Sequence, residues 1–99
     1  MNNLSKIKSY AGFAIKMGKA VFGVDLITAS RRSPEVVLYD ATLSENSKSK
    51  LTRYLTEHNK NGYMAAMEEI APGRNCKALG IKDKNLATAI ETAIKESKE

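Results

Sequence analysis

The 99 residues include one cysteine, one histidine and no tryptophan. A lone Cys76 excludes an internal disulfide, and Cys76 with His58 is too small a ligand set for a structural zinc site. No apolar run approaches the ~20 residues of a membrane span. The opening MNNLSKIKSY lacks the apolar core of a secretion signal. No G-x-S-x-G, H-E-x-x-H or glycine-rich phosphate loop occurs, and Lys19 sits between Gly18 and Gly23 at a spacing that is not a P-loop. His58 falls on the apolar stripe of a helix and Cys76 in an apolar strand, so structural roles are expected for both. These absences point to a cytoplasmic protein that is not an enzyme, with no metal, no cofactor and no membrane partner.

What the chain does have is an ordinary apolar content, 42%, and a formal net charge of +5. The length suits one domain, residues 1–99. The charge is uneven. Residues 1–32 carry six basic groups against one acidic, residues 33–73 four against six, and residues 74–99 six against four. An excess of this kind suits a polyanion, most often nucleic acid, although solubility alone also explains it.

Two kinds of apolar pattern alternate. Leu4, Ile7, Ala11, Ala14 and Ile15 recur at helical spacing, with Asn2, Asn3 and Ser5 near the start and Gly18 as the stop. Ala20–Phe22 reads as a short strand and 24–31 as a helix broken by Ser33-Pro34. Glu35–Tyr39 is the clearest strand, apolar on both faces. Ser44 caps a helix to about His58, Asn61-Gly62 reads as a turn, and 63–65 as a weak strand. A short helix 66–70, a strand 76–81 and a last helix 85–96 follow. The order predicts an α/β fold, a three-layer α/β/α sandwich of about five helices on a four-stranded mixed, largely parallel sheet.

The binding chemistry gathers near Gly23. A helix beginning there presents free N–H groups to phosphate. Lys16 and Lys19 precede it, and Arg31 and Arg32 close the same helix. In a parallel sheet the loop Lys82-Asp83-Lys84-Asn85 and the loop 40–43 would share the strand edge where ligands dock.

At this point the residues resemble a known family. AGFAIKMGKAVFGVDLITASRR, VVLYDATLSENSKSKL and GRNCKALGIKDKNLATAI are similar to segments of the small bacterial YlxQ-like ribosomal proteins, over roughly residues 7–94. That group belongs to the kink-turn RNA-binding ribosomal proteins of the L-seven-Ae and L-thirty-e type. The resemblance implies an α/β/α sandwich and RNA binding without catalysis. It also implies a grip through a G-x-N-E-x-x-K helix, whose glycine is matched by Gly23. Asp25, Leu26 and Ala29 stand where the pattern has Asn, Glu and Lys. An ionised aspartate only accepts hydrogen bonds, so backbone contacts are expected to outweigh base readout.

The expected RNA-binding residues are therefore Lys19, Gly23, Val24, Asp25, Arg31, Arg32 and Lys84. The expected partner of this monomer is structured, kink-turn-like RNA, ribosomal RNA included, with association to the ribosome as a ribonucleoprotein. The alternative is a protein-interaction module on the same fold, using an exposed Val24, Leu26 or Met64. An RNA-recognition domain serving a separate methyltransferase is a third reading.

Overall fold

The computed structural model describes residues 4–97, so Asn2 and Asn3 lie outside it. Helix α1 (Leu4–Lys16) buries Ile7, Ala11 and Ala14 and ends at Gly18, whose φ of 69° is the left-handed conformation of a helix stop. Strand β1 (Ala20–Phe22) leads through Gly23, at φ 90°, into helix α2 (Val24–Ala29). This helix is shorter than the periodicity predicts. Ser30 is already extended and its hydroxyl donates to the Leu26 carbonyl, while Pro34 requires an extended approach. Arg31 and Arg32 therefore follow the helix rather than closing it.

Strand β2 (Val36–Tyr39) is buried on both faces as expected: Val36 and Leu38 point to one side and Val37 to the other. Ser44 caps helix α3 (Glu45–Glu57) by accepting from the Ser47 N–H at 3.2 Å. The turn expected at Asn61-Gly62 lies earlier. Asn59 takes φ 58°, a position asparagine tolerates, and Asn61–Met64 forms strand β3. Helix α4 (Met67–Ile70), strand β4 (Ala78–Ile81) and helix α5 (Lys84–Ser97) complete the order. Helix α5 starts at Lys84 because Asp83 accepts from the Leu86 N–H at 2.9 Å and caps it. Cys76 precedes β4 and is not part of it.

The described residues thus form five helices and one four-stranded mixed sheet in the order β1-β4-β2-β3. The sheet is mixed, but not largely parallel. Only β2 and β3 pair parallel, and β4 runs antiparallel to both β1 and β2. What differs is whether the segment between two strands runs back along the sheet. The segment 40–60, with α3, does, so β3 starts where β2 started. The segment 65–77, with α4, does not, so β4 starts at the edge where β3 stopped.

Helices α1, α4 and α5 cover one face, packing Ile7, Met67, Ile70 and Ile90 on Val36, Leu38, Leu79 and Ile81. Helices α2 and α3 cover the other, packing Ile27, Leu51, Tyr54 and Leu55 on Val37 and Ala78. Ala78 and Gly80 keep that face of β4 shallow. A Cβ on Gly80 would lie 2.7 Å from Pro34 Cγ, so the segment after α2 rests on bare backbone. No helix among the described residues is long and apolar enough to cross a membrane.

Candidate nucleic-acid interface

The strand directions give the sheet two chemically different edges. Strands β1, β2 and β3 finish at the first, where β4 begins. Gly23 N–H donates to the Ala78 carbonyl at 2.9 Å, Asp40 N–H to Lys77 at 2.8 Å and Ala65 N–H to Tyr39 at 2.8 Å. At the second edge β4 finishes and the other three begin. There Lys82 N–H donates to the Lys19 carbonyl at 2.8 Å and Glu35 N–H to Ile81 at 2.7 Å.

The seven residues expected to bind RNA divide between these edges. Gly23, Val24 and Asp25 lie at the first. Val24 is buried, at 8% exposure, and faces the core instead of a ligand. That removes it both from the RNA set and from the alternative partner surface. Asp25 is exposed and ion-paired with Lys50 at 2.9 Å. Lys19, Arg31, Arg32 and Lys84 lie at the second edge with Lys82. The helix after Gly23 therefore does not carry one basic surface: its two ends point to opposite edges. The loops 40–43 and 82–85 are likewise at opposite edges, because β4 is antiparallel to β2.

The second edge is the basic one. Lys19 stands before β1, Lys82 and Lys84 after β4, Arg31 and Arg32 ahead of β2, and Lys60 before β3. Lys60 pairs with Glu35 at 3.4 Å. The other five are exposed and have no ion pair among the described residues. Of the acids beside them, Glu35 is held by Lys60 and Asp83 caps α5, while Glu57, the last residue of α3, is exposed. Helices α1, α2 and α3 all end toward this edge, and the negative ends of their dipoles offset part of the crowding of cations. Lys60 and Lys82 were not among the expected contacts. Their grouping with Lys19 and Arg31 exists only once the strand order is known.

The first edge has mixed charge. A cleft of about 890 Å³ lies there, lined by Asp40, Met67, Glu69, Pro72, Cys76 and Lys77 among others. Its central carboxylate is occupied by structure. Asp40 accepts from the Thr42 hydroxyl, from the Thr42 N–H at 3.0 Å and from the Met67 N–H at 3.1 Å. The Thr42 hydrogen bonds foremost, then the Met67 N–H, hold its carboxyl below the usual carboxylate range. Lys77 donates to the Thr42 hydroxyl at 2.6 Å. Arg74 lies over the Phe22 ring, 5.0 Å from its centre. Cys76 is half-buried, and burial pushes its thiol up, away from the reactive thiolate. His58 is exposed instead of lying in the core. Its Nδ1 is 2.9 Å from the Tyr54 carbonyl and its ring lies against Tyr54. Among the described residues no three His, Cys, Asp or Glu side chains gather as metal ligands. Leu26 and Met64 are exposed, at 62% and 56%. They are far apart in the layer order, since α2 packs over β1 and β4 while Met64 ends β3 at the far side of the sheet.

No family model matches the chain, and no curated protein matches it in sequence. A solved structure, that of a protein of unknown function from Bacillus halodurans, is similar to it. The TM-score is 0.81 with 16% identity, covering 91% of this chain and 97% of that one. The likeness is one of fold.

Proposed function

We propose that the protein is a non-catalytic RNA-binding protein of ribosomal-protein type, acting in the cytoplasm on structured RNA, kink-turn-like and ribosomal RNA included. One observation carries this reading. The four strand ends at one edge of the sheet are furnished with lysine and arginine, and five of these cations are exposed and without an ion pair among the described residues. Such a surface neutralises phosphates without reading bases. The resemblance to YlxQ-like ribosomal proteins agrees with RNA as the polyanion. In this reading the contacts are Lys19, Arg31, Arg32 and Lys84 of the expected set, joined by Lys82, while the buried Val24 and the ion-paired Asp25 take no part.

The test is a salt titration with a folded kink-turn RNA, comparing the wild type with the double variant Arg31→Ala, Arg32→Ala. The wild type is expected to bind at low salt, and its affinity to fall by up to about one log unit per log unit of salt for each phosphate neutralised. The variant's slope should be shallower by about one or two. A lysine at the exposed Ala29, near the end of α2 that faces this edge, should strengthen binding. If the wild type does not bind at low salt, or the arginines make no difference, the protein-interaction reading takes its place.

A further inference from the structure

Resting on the RNA-binding reading above, we infer that the basic edge takes the phosphate row of a base-paired helix, not an unpaired strand. Three features lead there. The first is spacing. The cations without an ion pair among the described residues stand by the ends of three adjacent strands, β1, β4 and β2, which lie ~4.8 Å apart, so the row is roughly 10 Å long. Each strand of a duplex presents its phosphates at fixed intervals along and around the helix axis, so a row of that length faces a few neighbouring phosphates.

The second is rigidity. The backbone that carries Lys19 and Lys82 is tied together by the bond from Lys82 N–H to the Lys19 carbonyl. The segment after Arg31 and Arg32 is tied by the bond from Glu35 N–H to Ile81 and by Pro34 packed under Gly80. A fixed row of donors matches a ligand whose phosphates are already fixed. A flexible single strand would first have to be ordered, which costs conformational entropy.

The third is the absence of stacking surfaces where they would be needed. Proteins that hold unpaired bases set aromatic rings among their cations. The segments 17–19, 30–35, 58–60 and 82–83 contain no Phe, Tyr or Trp. Their one ring, that of His58, lies with its centre 4.1 Å from that of Tyr54. Phe13 is exposed, but on α1 and outside these segments. The edge thus holds phosphates with five cations that have no ion pair among the described residues, and offers a flipped-out base only the His58 ring and the guanidinium planes of Arg31 and Arg32.

The experiment uses the full chain and fluorescence anisotropy at several salt concentrations. The probes are an RNA duplex of about 16 base pairs, one of its strands alone in an unstructured sequence, and the DNA duplex of the same sequence. The RNA duplex is expected to bind at least tenfold more tightly than the single strand at equal salt. Exchanging Lys82 and Lys84 together for alanine should weaken duplex binding at least tenfold at low salt and make its salt slope shallower by about two. The control Lys48→Ala, on α3 away from this edge, should leave it unchanged. These side chains are exposed, and circular dichroism verifies that each variant is folded.

Equal affinity for the DNA duplex supports the inference, because the phosphate chemistry is shared. Tighter binding of DNA than of RNA would move the ligand to DNA and overturn it. A single strand bound as tightly as the duplex overturns this inference and leaves RNA binding standing. Failure of both RNAs to bind at low salt removes the RNA-binding reading itself.

Discussion

Asp40 shows how a single side chain can resemble a functional group and serve the fold. It follows β2 at the rim of a cleft, where a carboxylate invites a catalytic or ligand-binding assignment. Its contacts instead hold the fold: those to Thr42 fix its own loop, and the one from the first N–H of α4 ties that loop to the helix. Its folded pKa lies below the unfolded value, which is near 3.8. The ionised form is thus favoured by folding. The contribution is fully present above the unfolded pKa and is lost as pH falls through the lower folded pKa. Urea unfolding across the acidic range should show Asp40→Asn less stable than the wild type at neutral pH. The gap should close as pH drops below about 3.8 toward the folded pKa. A gap independent of pH would mean that the charge on Asp40 contributes nothing. Burial likewise disfavours the Cys76 thiolate, and the His58 ring lies against Tyr54.

The helix–sheet contacts depend on two glycines, Gly62 in β3 and Gly80 in β4. Both are places where an opposing element comes close to bare backbone. A Cβ on Gly80 would meet Pro34 Cγ at 2.7 Å and Cβ at 3.0 Å, with Ile27 Cγ1 at 3.4 Å behind. The proline ring is stiff and buried, so neither it nor the strand can yield cheaply. A Cβ on Gly62 would lie at ordinary contact from Tyr39 Cε1 and the Val37 carbonyl and would clash with Leu55 Cδ1 at 2.6 Å, the far end of a flexible side chain that can change rotamer. Overpacking of this kind costs about 1–3 kcal/mol. Gly80→Ala is expected near the top of that range or above it, and Gly62→Ala near the bottom. Chemical denaturation of the two variants measures this. Equal costs, or the reverse order, would show that the segment after α2 moves more freely than its contacts imply.

Across the whole molecule, the central sheet separates two cores. Ile27 lies in the core under α2 and α3, and Ile90 in the one under α1, α4 and α5, and both are fully buried. Ile27→Val and Ile90→Val should each cost about 0.5–1.5 kcal/mol. Because the two sites share no cluster, the double variant should equal their sum within about 0.5 kcal/mol in urea unfolding. A larger departure would mean that the sheet transmits repacking from one face to the other. The order of elements and the burial of β2 on both faces were readable in the chain. Apolar period, glycine stops and the Ser44 cap are local properties, and Val36-Val37-Leu38 has no polar face to turn to solvent. Local chemistry also determined which residues are cationic. It could not determine which of them are neighbours. That required the direction of β4, because the segment 65–77 does not run back along the sheet whereas the equally long segment 23–35 does. Once β4 runs antiparallel to β2, Lys82 and Lys84 lie beside Lys19 and Arg31 and away from Gly23 and Asp25. The sequence by itself determined the elements, their amphipathic faces and the charge of the chain, because those follow from neighbours a few residues apart. Only the tertiary structure decided that the charge gathers on one edge, because that edge is assembled from four strand ends brought together by long-range pairing.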